Sequence, residues 1–278
     1  MKYSRTKNIE KLLESLQKEE LYLKALKQDI QDKKVFMGLR DNSIDFYYGG
    51  SKIYSYSKNK FFSHRKFCIN SEIKDEYINQ DTLNTINIIT CPIQNYKLIK
   101  DNAKKYGGIE DKGISNLFNQ DYFSKKDIFL LDIEIAFYDK ESKDRVDILL
   151  YDNKNQILKF IEAKDYTNKE LWAEKNAQPK VAEQIKRYND RLLDSDYYTN
   201  ILNEYKKYIT ILNNFFEVEI NEPKEIIKNT SLYMFGFDEN QKIKINKLLK
   251  DDNSLENIKY YFNGDAKKTN VETLFNKS

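Results

Sequence analysis

The sequence has one histidine, His64, two cysteines, three prolines and eight glycines among 278 residues. A single histidine excludes histidine-rich metal centres and argues against a Ser-His-Asp relay. Cys68 and Cys91 lie far apart with no metal-ligand spacing, as expected of free thiols in a reducing cytoplasm. So little glycine and proline argues against long flexible linkers. No run approaches 18 continuous apolar residues, and the charged, amphipathic N-terminus lacks the apolar core of a signal peptide. A cytoplasmic protein without a membrane partner is the expectation. An excess of one charge sign is missing too: 47 Lys and Arg face 44 Asp and Glu, leaving +3. Any basic surface for nucleic acid must therefore be local.

What is present is the composition of a folded chain, 40% hydrophobic and 33% charged, long enough for one large domain or two modest ones. Apolar residues recur at helical spacing over about 6–32 (Ile9, Leu12, Leu13, Leu16, then Leu23, Leu26, Ile30), with a slip near Leu21 that suggests a bend or a break. Aromatic-rich runs at 35–40, 44–48 and 52–57 are separated by Asp41-Asn42 and Gly49-Gly50, which predicts an antiparallel meander. Residues 70–100 give no clear pattern. A short helix is expected near 109–119, then β-rich runs at 129–138, 145–151 and 157–164, divided by polar turns. Helices follow at 178–193 and 197–215, a strand at 231–237 and a helix at 239–250. That order predicts a mixed α/β layout around a central sheet. The corresponding division is an N-terminal helix and small sheet over 1–100, and a second domain over 101–278.

Chemistry is concentrated in two of these runs. In Arg145-Val146-Asp147-Ile148-Leu149-Leu150 an acid interrupts a segment otherwise suited to burial. In Phe160-Ile161-Glu162-Ala163-Lys164 two charges stand two residues apart, so both project from one face of a strand. A tight connection between the runs can bring Asp147 alongside Glu162 and Lys164. Two carboxylates suit Mg²⁺, which prefers hard oxygen ligands and keeps several waters; the Ala163 carbonyl is a candidate third ligand. An ion there would polarise a phosphoryl oxygen, and Lys164 would orient the attacking water or neutralise charge on the phosphate. Glu-x-Lys alone carries no weight, since it occurs six times. Glu162 is the one that ends a β-rich run preceded by another run bearing an acid. The competing reading is a solvated edge strand with an ordinary ion pair.

The segment from Glu110 to Tyr188 resembles the PD-(D/E)XK nuclease superfamily, with weaker likeness up to 231–237. The motif's aspartate falls on Asp147, its acid on Glu162 and its lysine on Lys164, with Val146 in place of proline. The resemblance implies a restriction-endonuclease-like αβββαβ core and Mg²⁺- or Mn²⁺-dependent hydrolysis of nucleic acid, DNA before RNA, in defence or repair. It implies a further acid, for which Glu110 is the candidate and Glu134 its competitor. Glu110 shares a helical face with Ile114, Leu117 and Phe118, although its charge also suits a helix N-terminus. Gln184 and Tyr188, four residues apart, resemble the Gln-x-x-x-Tyr pair of exonuclease-type members; a core tyrosine beside a solvated glutamine is the plainer alternative. Many members act as homodimers to cut both strands, and a catalytically inactive binding module on the same fold is the rival reading.

Two other features bear on substrate contact. Tyr47, Tyr48, Tyr54 and Tyr56 mix with Lys52, Lys58, Lys60, His64, Arg65 and Lys66, a combination able to stack on bases and contact phosphates. Packing of those tyrosines within a small sheet is the favoured reading. Lys180, Lys186 and Arg187 near the 178–193 helix could meet phosphates or simply solvate it, and Trp172 could cap the core or touch substrate.

Overall fold

The computed structural model describes residues 4–69, 93–138, 143–172, 178–251 and 253–278. The ambiguous segment at 70–92 with Cys91, the polar turn at 139–142, and 173–177 of the loop before the 178 helix lie outside the described residues. Among the described residues the chain is mixed α/β with two sheets, and it divides into compact units Arg5–Asn119 and Gln120–Ser278. The division expected at residue 100 falls inside the first unit, which therefore includes the helix bearing Glu110. Among the described residues no helix is long and apolar enough to cross a membrane.

The first unit opens with α1 (Ile9–Leu16), which buries Ile9, Leu12, Leu13 and Leu16. A π-helical turn, Tyr22–Leu26, then leads into α2 (Lys27–Gln31). This wider turn accounts for the slip in periodicity near Leu21. Strands β1 (Phe36–Arg40), β2 (Ser43–Tyr48), β3 (Ser51–Ser57) and β4 (Lys60–Phe62) form an antiparallel sheet in sequential order. The Gly49-Gly50 and Lys58-Asn59 turns place both central residues at positive φ, the geometry that matches strand twist. Helix α3 (Tyr96–Tyr106) buries Ile99 and Ala103, and Tyr96 stacks on Tyr54 with ring centroids 6.3 Å apart. Tyr47, Tyr54 and Tyr56 are buried, so they serve the core and offer no stacking platform. Cations lie over Tyr48 instead, with Lys100 Nζ 4.6 Å and Lys104 Nζ 5.3 Å from the ring centre. Helix α4 (Ile109–Ser115) follows.

The second unit is built on β5 (Ile128–Tyr138), β6 (Lys143–Asp152) and β7 (Ile157–Asp165), an antiparallel meander. The chain then crosses over through α5 (Lys180–Leu193) and α6 (Ser195–Phe216). The short β8 (Glu225–Ile226) and then β9 (Ser231–Phe235) return parallel to β7, and β10 (Tyr260–Asn263) adds parallel to β9. Between β9 and β10 lies α7 (Glu239–Asp251), and α8 (Val271–Lys277) closes the unit. From residue 109 onward the expected succession of elements is the observed one; β8, β10 and α8 are additions to it. Pro179 occupies the N-cap of α5, and Asp194 caps α6 by accepting from the Tyr197 N–H at 2.8 Å.

The sheet has two differently furnished faces. On one, Phe137 meets Phe160 at 5.0 Å and Tyr188 of α5 at 5.8 Å, and Phe160 meets Tyr205 of α6. On the other, the Tyr233 hydroxyl is 2.7 Å from the Thr269 hydroxyl, and Lys159 of β7 lies buried. Its ammonium donates to the Phe275 carbonyl at 2.6 Å and to the Ser278 carbonyl, tying α8 to the strand. Burial, with Lys259 nearby, pulls the Lys159 amine down to about 8. The unfolded chain holds that proton to about pH 10.4, whereas the folded chain releases it near 8, so folding gains from rising pH across that window. Chemical denaturation from pH 7 to 10 should show wild type gaining up to ~3 kcal/mol relative to Lys159→Met. Parallel pH profiles for the two proteins would mean that burial costs this amine nothing.

Candidate active site

The β6–β7 ladder runs from Asp152↔Ile157 to Ile148↔Ile161 and then stops, although both strands continue. Continuing that register by one residue sets Asp147 opposite Glu162, on the same face of the sheet. Where the ladder ends, the Ala163 N–H needs another acceptor, and Asp147 Oδ2 provides it at 2.8 Å. The acid that interrupts the apolar run thus lies where its strand parts from its neighbour. Ala163, expected to contribute its carbonyl, also enters the site through its amide. Asp147 is half-buried and Glu162 is 1% exposed.

Lys164 projects beside Glu162, as the two-residue spacing requires. Its Nζ is 2.6 Å from Glu162 Oε1, and both side chains are buried. A second carboxylate also reaches this ammonium: Glu170 Oε2, at 3.1 Å, from a residue that sequence reading did not single out. The loop that carries Glu170 is tied down at several points. Asp165 accepts from the Thr167 N–H at 2.9 Å and the Thr167 hydroxyl at 2.6 Å, an Asx turn that ends β7. Asn168 caps the turn Lys169–Leu171 by accepting from the Glu170 N–H at 2.9 Å. The Trp172 indole N–H donates to the Tyr166 carbonyl at 2.9 Å, which gives that residue an anchoring task. Gly236, at φ +77, lies so close to Asp165 that a Cβ there would overlap the carboxylate.

Helix α5 covers the same face. The Tyr188 hydroxyl donates to the Arg145 carbonyl at 2.8 Å. Burial, followed by the charges of Glu162, Asp147 and Asp144, raises its pKa well beyond the ordinary tyrosine range. Tyr188 is thus a core residue whose hydroxyl feels both candidate carboxylates. One turn earlier, the Gln184 side-chain oxygen is buried with no hydrogen-bond partner among the described residues. Arg187 is engaged rather than available to phosphate: it makes two 3.1 Å bonds to Asp144, and Arg191 adds a third at 3.1 Å. This clamp fixes α5 to the start of β6. Lys180 and Lys186 remain exposed.

The two candidates for a further acid have different positions. Glu134 lies between the pairs Ile133↔Ile148 and Ile135↔Val146, on the strand beside the one that carries Asp147. Its backbone has φ +48, uncommon for a glutamate in a strand, and its side chain pairs with Arg145 at 3.3 Å. Glu110 belongs to α4 of the first unit, whereas the other residues of the candidate site come from the second. Among the described residues no group of three or more His, Cys, Asp or Glu side chains converges as a ready metal cage. The donor chemistry still suits a hard divalent cation: Mg²⁺ needs one or two carboxylates and keeps its remaining waters.

Comparison with protein-family models, with curated proteins and with solved structures finds no match to this chain.

Proposed function

We propose that the chain is a divalent-metal-dependent nuclease with a restriction-endonuclease-like core, cutting phosphodiester bonds in DNA more readily than in RNA. The observation that carries this reading is the Lys164 ammonium against the Glu162 carboxylate, with Asp147 of the neighbouring strand capping the Ala163 N–H between them, where the β6–β7 ladder ends. Asp147 and Glu162 would hold Mg²⁺ or Mn²⁺, with the Ala163 carbonyl and the Glu134 carboxylate as further oxygen donors. The ion would act as a Lewis acid on a phosphoryl oxygen and make a bound water more acidic. Asp147 also accepts the Ala163 N–H, which fixes its carboxylate relative to β7. Lys164 sets a cation beside the pair, where it can offset charge gathering on a phosphate. Its burial strengthens that interaction relative to one in water. Tyr188, held by the Arg145 carbonyl, keeps α5 seated over the acids. Gln184 brings a side-chain amide whose buried oxygen is available to a ligand or an ordered water, since leaving it unsatisfied costs about 1–3 kcal/mol. A dimer would let two such sites act on opposite strands.

Purified protein should degrade DNA with Mg²⁺ or Mn²⁺ and fall silent with EDTA. Linear, circular and single-stranded substrates, each with a matched RNA, separate exonuclease from endonuclease action and DNA from RNA preference. A second reading, a binding module without catalysis, draws on the Lys164 ammonium already paired with the Glu162 and Glu170 carboxylates. Under it, calorimetry should detect no Mn²⁺ binding that depends on Glu162.

A further inference from the structure

Lys164 stands between two carboxylates, and only one of them belongs to the candidate metal pair. Its ammonium is 2.6 Å from Glu162 Oε1 on the buried side and 3.1 Å from Glu170 Oε2 on the solvent side. The side chains of Glu162 and Lys164 are 1% and 5% exposed, whereas that of Glu170 is 41% exposed. A divalent ion that takes Glu162 as a ligand competes with the ammonium for this carboxylate. Driving a buried ammonium from its counter-charge is costly unless another acceptor takes it up. Glu170 is placed to be that acceptor. Its backbone is pinned by the Asp165 turn and the Asn168 cap, so the carboxylate stays near Lys164. Its partly exposed side chain retains the freedom to follow the ammonium as it shifts.

We propose that Glu170 is a positioning residue that receives the Lys164 ammonium when a divalent cation claims Glu162, keeping the lysine beside the site for a phosphate. The inference rests on the metal-site reading above. No bond is made or broken in this step and no proton moves; the ammonium shifts its weight from one carboxylate to the other. Without Glu170 the ammonium loses the carboxylate on its solvent side.

Calorimetric titration with Mn²⁺ alone tests this on wild type, Glu170→Gln, Lys164→Met and the double variant, each verified as folded by circular dichroism. If Glu170 works through Lys164, E170Q should weaken Mn²⁺ binding about five- to tenfold in wild type and by less than about twofold in the K164M background. Glu170→Asp should restore part of the loss. Reductive methylation of the Mn²⁺-loaded protein should label Lys164 faster in E170Q than in wild type. Unchanged affinity in E170Q overturns the proposal. An equal loss in both backgrounds also overturns it, because it would mark a plain through-space charge effect. Failure of the metal site itself gives a different pattern: wild type takes up no Mn²⁺, or takes it up undiminished in Glu162→Gln, and both readings then fall together. Glu162-dependent binding that ignores Glu170 removes only the handover.

Discussion

Replacing Lys164 by methionine is expected to abolish cleavage and, without metal, to destabilise the protein by about 3–5 kcal/mol, the usual cost of removing one member of a buried ion pair. The penalty arises because Glu162, 1% exposed, would keep its charge without the ammonium 2.6 Å away. The same reasoning gives this prediction an uncommon sign. Mn²⁺ should bind the variant at least as tightly as wild type, since the competitor for Glu162 has gone. At a hundred times its Kd the ion should return about 2.7 kcal/mol of the lost stability. Denaturation with and without Mn²⁺, beside a cleavage assay, checks all three parts. A variant that stays inactive, is destabilised and gains nothing from Mn²⁺ would make the Lys164–Glu162 pair purely structural.

The second large effect is expected at Asp147. Asparagine keeps an oxygen to accept the Ala163 N–H, so Asp147→Asn should fold with stability within about 1 kcal/mol of wild type. It loses the charge, however. Mn²⁺ affinity should fall by more than about a hundredfold, beyond the 10–100-fold that loss of an outer supporting contact typically costs. Cleavage should fall to background. The split between intact folding and lost ion binding separates Asp147 from an ordinary strand-end acid that only caps an amide. If D147N binds Mn²⁺ like wild type, the cap is the whole of its role.

The parts of this molecule legible in sequence are those fixed by local rules. Strand alternation and short polar turns mark β5, β6 and β7, and with them the neighbourhood of Asp147 and Glu162. Helical spacing marks α5, and Pro179 marks its start. The separation of β6 from β7 beyond Ile148 and Ile161 is not legible, because both strands continue past the end of their ladder with no change of residue pattern to mark it. Lys159 shows the same limit: a lysine within an apolar run reads as a solvent-facing residue, yet its acceptors are carbonyls more than 110 residues onward.

Missed elements have similar causes. Strand β4 depends on Lys58 and Asn59 both adopting positive φ, a conformation that glycine usually supplies. Strand β10 lies at the sheet edge, so Tyr260–Asn263 lacks the burial that would mark it. Glu170 is not legible as a site residue because it lies beyond the end of β7 and reaches Lys164 only through the turn at Asp165. The signals were present in Asp165-Tyr166-Thr167-Asn168, a cluster of turn and capping residues, but they specify a turn and not the direction of a carboxylate beyond it. The tyrosines of the first unit show the opposite case: packing within a small sheet is the favoured reading of the sequence, and Tyr47, Tyr54 and Tyr56 are buried there.

Diffraction from crystals grown with excess Mn²⁺, read through the anomalous scattering of the ion, bears most directly on whether residues 147 and 162 share a cation. One peak at bonding distance from a carboxylate oxygen of each residue, with the Lys164 ammonium moved toward Glu170, is the expected result. A map with no peak there, while Asp147 still caps the Ala163 amide and Lys164 still grips Glu162, would contradict it.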